Sequence, residues 1–121
     1  MYVINEQKIK QAIEAATGLA VFYGEVSEDE EEPVEAYVLF FKGGMERPEK
    51  GDQISMLKRI VVYVCMEVIT DDICLALIDT LEDLGLRFRH SEADREQQGD
   101  TDAFLDTEVF TFTHLVKRRG C

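Results

Sequence analysis

No stretch of this sequence is apolar for long enough to cross a membrane as a helix. The longest run, Ile60–Met66, falls far short of the ~20 residues required. The segment Met1–Lys10 lacks the basic-then-apolar order of a signal peptide, so neither export nor membrane insertion is expected. Positive charge is also scarce. Thirteen Lys and Arg stand against 25 Asp and Glu, a net charge of −12 in 121 residues, and the one basic cluster is Lys117, Arg118 and Arg119. Phosphate contacts need clustered cations, which argues against a general nucleic-acid binder. The three cysteines, Cys65, Cys74 and Cys121, form no C-x-x-C pair. That speaks against a disulfide framework and for a reducing compartment.

Patterns that carry chemistry are missing as well. His90 and His114 are the only histidines, and neither has a second ligand at metal-binding spacing. Both read as ordinary strand residues, partly buried or at an edge. No phosphate-loop, dinucleotide or nucleophile-elbow motif occurs; Gly43-Gly44 follows a strand but leads to Pro48 and charge rather than to a helix. Acids are abundant, yet a catalytic pair needs one desolvated acid and a second at a fixed distance. Only Glu67 and Asp106 have apolar neighbours, and Glu67 reads as a rim or interface carboxylate. Cys65 and Cys74 read as small core residues, since nothing near them in sequence would lower a thiol pKa. No catalytic, cofactor-binding or metal-ligating residue is assigned, and an enzyme is not expected.

What the chain does contain is apolar material, 45 % of its residues, enough for one core and a single domain spanning 1–121. A helix is expected from Asn5 to Thr17, because Ile9, Ala12, Ile13 and Ala16 recur at helical spacing, Asn5 can cap it and Gly18 ends it. Leu19–Gly24 reads as a first strand, buried on both faces. Val34–Lys42 and Ile54–Ile69 alternate as strands two and three of a long hairpin. A second helix follows from Asp71 to Leu84, with Thr70 or Asp71 as its cap and Gly85 as its stop. Leu86–Ser91 is strand four, Glu92–Thr101 a turn or protruding loop, and Ala103–Lys117 strand five. The expected fold is α+β in the order α-β-β-β-α-β-β. It has an antiparallel or mixed five-stranded sheet, two helices packed on one face and a long β-hairpin.

Three regions stand out for interaction rather than chemistry. The connection 43–53 is far longer than the about two to five residues of a tight hairpin, so Gly43, Gly44, Met45, Glu46, Arg47, Pro48, Glu49 and Lys50 are a candidate protruding docking loop. The loop 26–33 carries Glu28, Asp29, Glu30, Glu31 and Glu32 without the glycine turn and spaced oxygens of a calcium loop, and reads either as an electrostatic element that attracts basic surfaces or as a solvated loop with no partner. If even-numbered strand positions point to the core, then Tyr37, Leu39, Phe41, Val61, Tyr63 and Cys65 form a half-apolar second face. Such a face on so acidic a domain suggests a partner.

This layout resembles the small tail-terminator, or tail-completion, proteins of long-tailed bacteriophages. The features that carry the resemblance are the opening helix, the strand Leu19-Ala20-Val21-Phe22-Tyr23-Gly24-Glu25, the hairpin Val34–Ile69, the helix Asp71–Leu84 and two closing strands ending near Lys117. They cover nearly the whole chain, and they are a match of layout rather than of a short motif. The resemblance implies a non-enzymatic virion protein, assembled in the bacterial cytoplasm and placed at the head–tail junction. It would form a homo-oligomeric, hexameric ring that ends tail-tube polymerisation. It would contact the tail tube protein and a head-completion or connector protein, and DNA would pass through the ring without specific binding. Tyr37, Phe41, Tyr63, Lys117, Arg118 and Arg119 are the expected subunit interface. No cofactor and no membrane are implied. The alternative is a ferredoxin-like small-molecule-binding or regulatory domain, which predicts a βαββαβ order instead.

Overall fold

The structure, a computed structural model, describes residues 5–24, 36–47, 55–97 and 104–117. Its elements run α1 (Glu6–Thr17), β1 (Ala20–Tyr23), β2 (Tyr37–Glu46), β3 (Ser55–Met66), α2 (Asp71–Asp83), β4 (Arg87–Gln97) and β5 (Phe104–Lys117). This is the expected α-β-β-β-α-β-β order. The acidic residues Glu28–Glu32, the loop residues Pro48, Glu49 and Lys50, and Arg118 and Arg119 lie outside the described residues.

Both helices begin and end where local chemistry says they should. The Asn5 side chain accepts the Gln7 N–H at 2.8 Å, and Gly18, at φ 72, closes α1 by donating its N–H to the Glu14 carbonyl at 2.8 Å. The Thr70 hydroxyl accepts the Ile73 N–H at 3.3 Å, and Asp71 and Asp72 place negative charge on the positive end of the α2 dipole. Each helix buries one stripe, Ile9 and Ile13 in α1 and Leu77 and Leu81 in α2.

The five strands form one mixed sheet in the order β1-β2-β3-β5-β4, with β1 parallel to β2 and every other neighbour antiparallel. Strand residues alternate between faces. Val38, Phe40, Ile60, Val62, Val64, Phe110 and Phe112 all fall on one face, and they share a single buried cluster with the stripes of both helices. The helices therefore cover that face together. The opposite face carries the odd-numbered residues of β2, β3 and β5, Tyr37, Val61 and Val109 among them.

Four expectations about extent change. β1 is an edge strand with Ala20 and Tyr23 exposed, not a strand buried on both faces, because nothing among the described residues pairs with its outer side. β2 continues through Gly43, Gly44, Met45 and Glu46, which the sequence assigned to the loop. A bulge lets the two glycines oppose Arg59 alone, so pairing resumes at Met45 with Lys58. β3 stops at Met66 rather than Ile69, since the Asp106 carboxylate takes the Ile69 N–H at 3.0 Å and Thr70 then starts α2. β4 extends to Gln97, so Glu92–Gln97 is strand and not loop. Its side chains are polar because it is the last strand of the sheet and needs only its backbone bonds to β5.

Candidate interaction face

The face of the sheet away from the helices brings together Tyr37, Leu39, Phe41, Val61, Tyr63 and Cys65. Tyr37 lies beside Cys65, Leu39 beside Tyr63 and Phe41 beside Val61 across the β2–β3 pair. Tyr63 in turn neighbours Val109, and Val61 neighbours Thr111. The Tyr37 and Tyr63 rings stand 6.4 Å apart at a 38° tilt, a diagonal pair on the pleated surface. Phe41 is 37 % exposed and Leu115, on the same face of β5, 58 %. Short side chains between these longer ones are shielded: Cys65, Thr107 and Thr113 are buried although they face away from the helices. The result is a half-apolar surface in which aromatic and aliphatic side chains stand among threonines, with Arg59, Glu92 and Asp94 on the same face, on a protein that carries −12 overall.

The backbone of Lys117 pairs with Ser55, at the far end of β3 from Tyr63 and Cys65. Of the docking residues, Gly43–Glu46 belong to β2 and Arg47 follows it, exposed. Glu67 is exposed just beyond the end of β3. His90 is exposed on the edge strand β4, while His114 is partly buried on β5. Burial lowers the His114 pKa below its ordinary value, with Lys58 and Lys42 adding to the shift, so the ring favours its neutral form.

Sequence inspection missed a polar cluster at one end of the sheet. The Asp106 carboxylate accepts both the Ile69 N–H at 3.0 Å and the Arg95 guanidinium at 3.1 Å, tying the β3–α2 connection to β4. Glu108 accepts the Ser91 hydroxyl at 2.8 Å and the Cys74 thiol at 3.6 Å. Ile69, Arg95, Asp106 and Glu108 border an open depression of about 310 Å³. Their charged atoms are turned on one another, and among the described residues no group of three His, Cys, Asp or Glu is arranged to hold a metal ion. The arrangement holds the β3–α2 connection, β4 and β5 together. Only the apolar context of Asp106 was a signal for it, because its partners lie 37 and 11 residues away in sequence.

Burial pushes the Cys74 thiol up to about 11, with the negative charge of Glu108 contributing next. A raised pKa means little thiolate near neutrality. In a variant retaining only Cys74, the alkylation rate should keep rising toward pH 11 instead of levelling near 9. Glu108→Gln removes the neighbouring charge and should move that profile to lower pH, as followed by the pH dependence of iodoacetamide labelling. An unmoved profile would remove Glu108 as a cause.

Among the described residues, no helix is long and apolar enough to cross a membrane. No protein-family model matches the chain, and no curated protein sequence does. Solved structures do match. One is a chain from the virion of a native gene transfer agent (GTA) particle, with a TM-score of 0.50 and 16 % sequence identity over 88 % of this chain and 90 % of that one. At that identity the likeness is one of fold.

Proposed function

We propose that this chain is a structural protein of a phage-like virion and, more narrowly, that it assembles into a ring that ends the tail tube at the head–tail junction. The observation that carries this reading is the fold likeness to a chain of a GTA virion across 88 % of the sequence. It coincides with the α-β-β-β-α-β-β layout of tail terminators. The aromatic face of the sheet supports it from another direction, because an apolar surface that no element among the described residues covers, on a strongly acidic domain, suits a partner. Negative charge also suits a lumen through which DNA must slide without adhering. In this reading Tyr37, Phe41 and Tyr63 contact a neighbouring subunit or the tube. The hairpin end from Gly43 to Lys50 docks on the tail tube protein or on a head-completion or connector protein. The acidic loop Glu28–Glu32 faces the basic residues Lys117–Arg119 of an adjacent copy. Assembly would take place in the host cytoplasm before the virion is complete. No catalytic step belongs to this reading.

The test is molar mass by light scattering across a range of concentrations, with negative-stain microscopy of the same fractions, in the presence and absence of purified tail tubes. The expected result is a closed ring of about six subunits, free or bound at tube tips. A chain that stays monomeric and leaves tube ends bare would remove the terminator reading. The ferredoxin-like alternative has no support in the element order, which places a helix first and three strands in succession.

A further inference from the structure

Among the described residues the two edges of the sheet are uncovered in different places. β1 pairs with β2 only from Tyr37 to Phe40, whereas β2 continues to Glu46. The Gly24 N–H, on a residue at φ 83, donates to the Phe40 carbonyl at 2.9 Å, the last backbone bond between these two strands among the described residues. Backbone groups alternate sides along a strand, so a Phe40 carbonyl turned toward β1 places the Lys42 N–H and carbonyl on that same outer edge. Among the described residues, no strand and no backbone hydrogen bond covers this edge from Phe41 to Glu46. At the opposite edge, β4 pairs with β5 alone. Among the described residues one stretch on β2 and another on β4 are therefore open, and unpaired edges of this kind invite strand addition.

The side chains around the two stretches are complementary. The Gly43–Gly44 bulge sits opposite Arg59, and a Cβ on Gly43 would come within 3.1 Å of the Arg59 Cβ. A Cβ on Gly44 would stand 3.2 Å from Arg59 Nη2, so the Arg59 side chain has its stem beside Gly43 and its guanidinium beside Gly44. Arg59 is exposed and has no carboxylate within ion-pair distance among the described residues. On β4, Glu92 and Asp94 are exposed beside Val109 and Thr107. Arg59 is aligned with Thr113, so all three charges project from the helix-free face. Phe41 and Met45 add exposed apolar contact along the β2 stretch.

We propose that the β2 edge from Phe41 to Glu46 receives strand β4 of a second copy of this chain, with Glu92 or Asp94 of the incoming strand pairing with Arg59 over the glycine bulge. The contact joins two different surfaces, so it propagates head to tail and closes when the rotation between subunits allows. It rests on the ring reading given above and supplies that ring with a subunit contact. It also gives the glycine pair a reason: a side chain at Gly44 would press on the guanidinium that the acidic strand meets, and one at Gly43 on the Arg59 stem.

Proline at position 42 separates the two ideas. The Lys42 N–H points off the sheet, so Lys42→Pro leaves the β2–β3 ladder whole and removes only the outer donor, while Lys42→Ala controls for the lost side chain. The expected result is a ring from the wild type and from Lys42→Ala, and a monomer with unchanged far-ultraviolet circular dichroism from Lys42→Pro. A Lys42→Pro ring overturns the edge pairing and leaves the ring reading standing. A wild type that never assembles overturns both. Rings of Lys42→Pro that no longer bind tube tips would assign the edge to the tube protein and overturn the proposal. Should Lys42→Pro fold poorly, charge exchange gives an independent answer. Arg59→Glu should weaken assembly at least tenfold, and adding Glu92→Arg and Asp94→Arg in the same chain should restore it; absence of restoration overturns the pairing.

Discussion

Replacing Phe112 by alanine is expected to remove about 3–5 kcal/mol of folding stability, the cost of truncating a large, fully enclosed aromatic side chain. Phe112 has no exposed surface and lies in the middle of the sheet, paired with Ile60 on one side and Phe88 on the other. Its ring is stacked 6.5 Å from Phe110 and edge-on to Phe88 at 5.6 Å, with the two helix stripes above. Both the lost transfer energy and the unfilled space therefore count against the variant, and the helices resting on the sheet limit how far the cavity can collapse. A domain of this size has on the order of 5–15 kcal/mol in total, so a large share of it would go. Equilibrium urea unfolding reads this directly. With a slope of about 1–3 kcal/mol per molar urea, the midpoint should fall by roughly 2 M. Phe104 provides the contrast, because it belongs to the same strand and the same parity yet is 40 % exposed. It holds little beyond the Arg95 guanidinium 5.3 Å from its ring, so Phe104→Ala should cost about 1 kcal/mol or less. Equal losses at the two positions would mean that the helices do not cover the sheet where the core cluster places them.

Tyr63→Glu is expected to abolish self-association while leaving the fold in place. Tyr63 stands at the centre of the helix-free face, beside Leu39 and Val109 and in ring contact with Tyr37. In an isolated subunit the new carboxylate remains on a solvated surface and costs little beyond lost packing across the strands. In an assembly that covers this face, the same carboxylate must be desolvated among aromatic and aliphatic groups with no cation in register beside it. Every 1.4 kcal/mol weakens association tenfold, and a central buried charge is worth several such steps, so the ring should be lost at any practical concentration. Light scattering together with far-ultraviolet circular dichroism checks both halves of the statement. A variant that still assembles would take this face out of the subunit contact and leave the strand edges as its remaining location.

The helices were legible in the sequence because their signals are local. Asn5, Thr70, Gly18 and Gly85 act on backbone groups within a few residues, and the Ile9/Ile13 and Leu77/Leu81 repeats need only helical periodicity to be read. The inward face of β2, β3 and β5 was legible for the same reason, since alternation is a property of the strand itself. Strand ends were not. Glu92–Gln97 has no apolar alternation, and it became strand only because β5 offers a backbone partner along its whole length. Gly43-Gly44 reads as a turn in isolation, and the bulge opposite Arg59 absorbs it into β2. The polar cluster was hidden for a related reason, because Asp106 and Glu108 reach partners from three other segments of the chain.

Sequence alone determined which segments would be helical, which strand faces would be apolar, and that a domain with net charge −12 would carry a half-apolar second face on its sheet. Those are consequences of periodicity, capping and composition, which act over a few residues at a time. Tertiary structure decided the strand order β1-β2-β3-β5-β4, and with it which edges stay open and which charges stand beside them. Pairing between distant segments depends on the joint burial of many side chains. No single segment encodes that, so the placement of Arg59 over a glycine pair at one edge and of Glu92 and Asp94 at the other emerges only once the sheet has closed around its core.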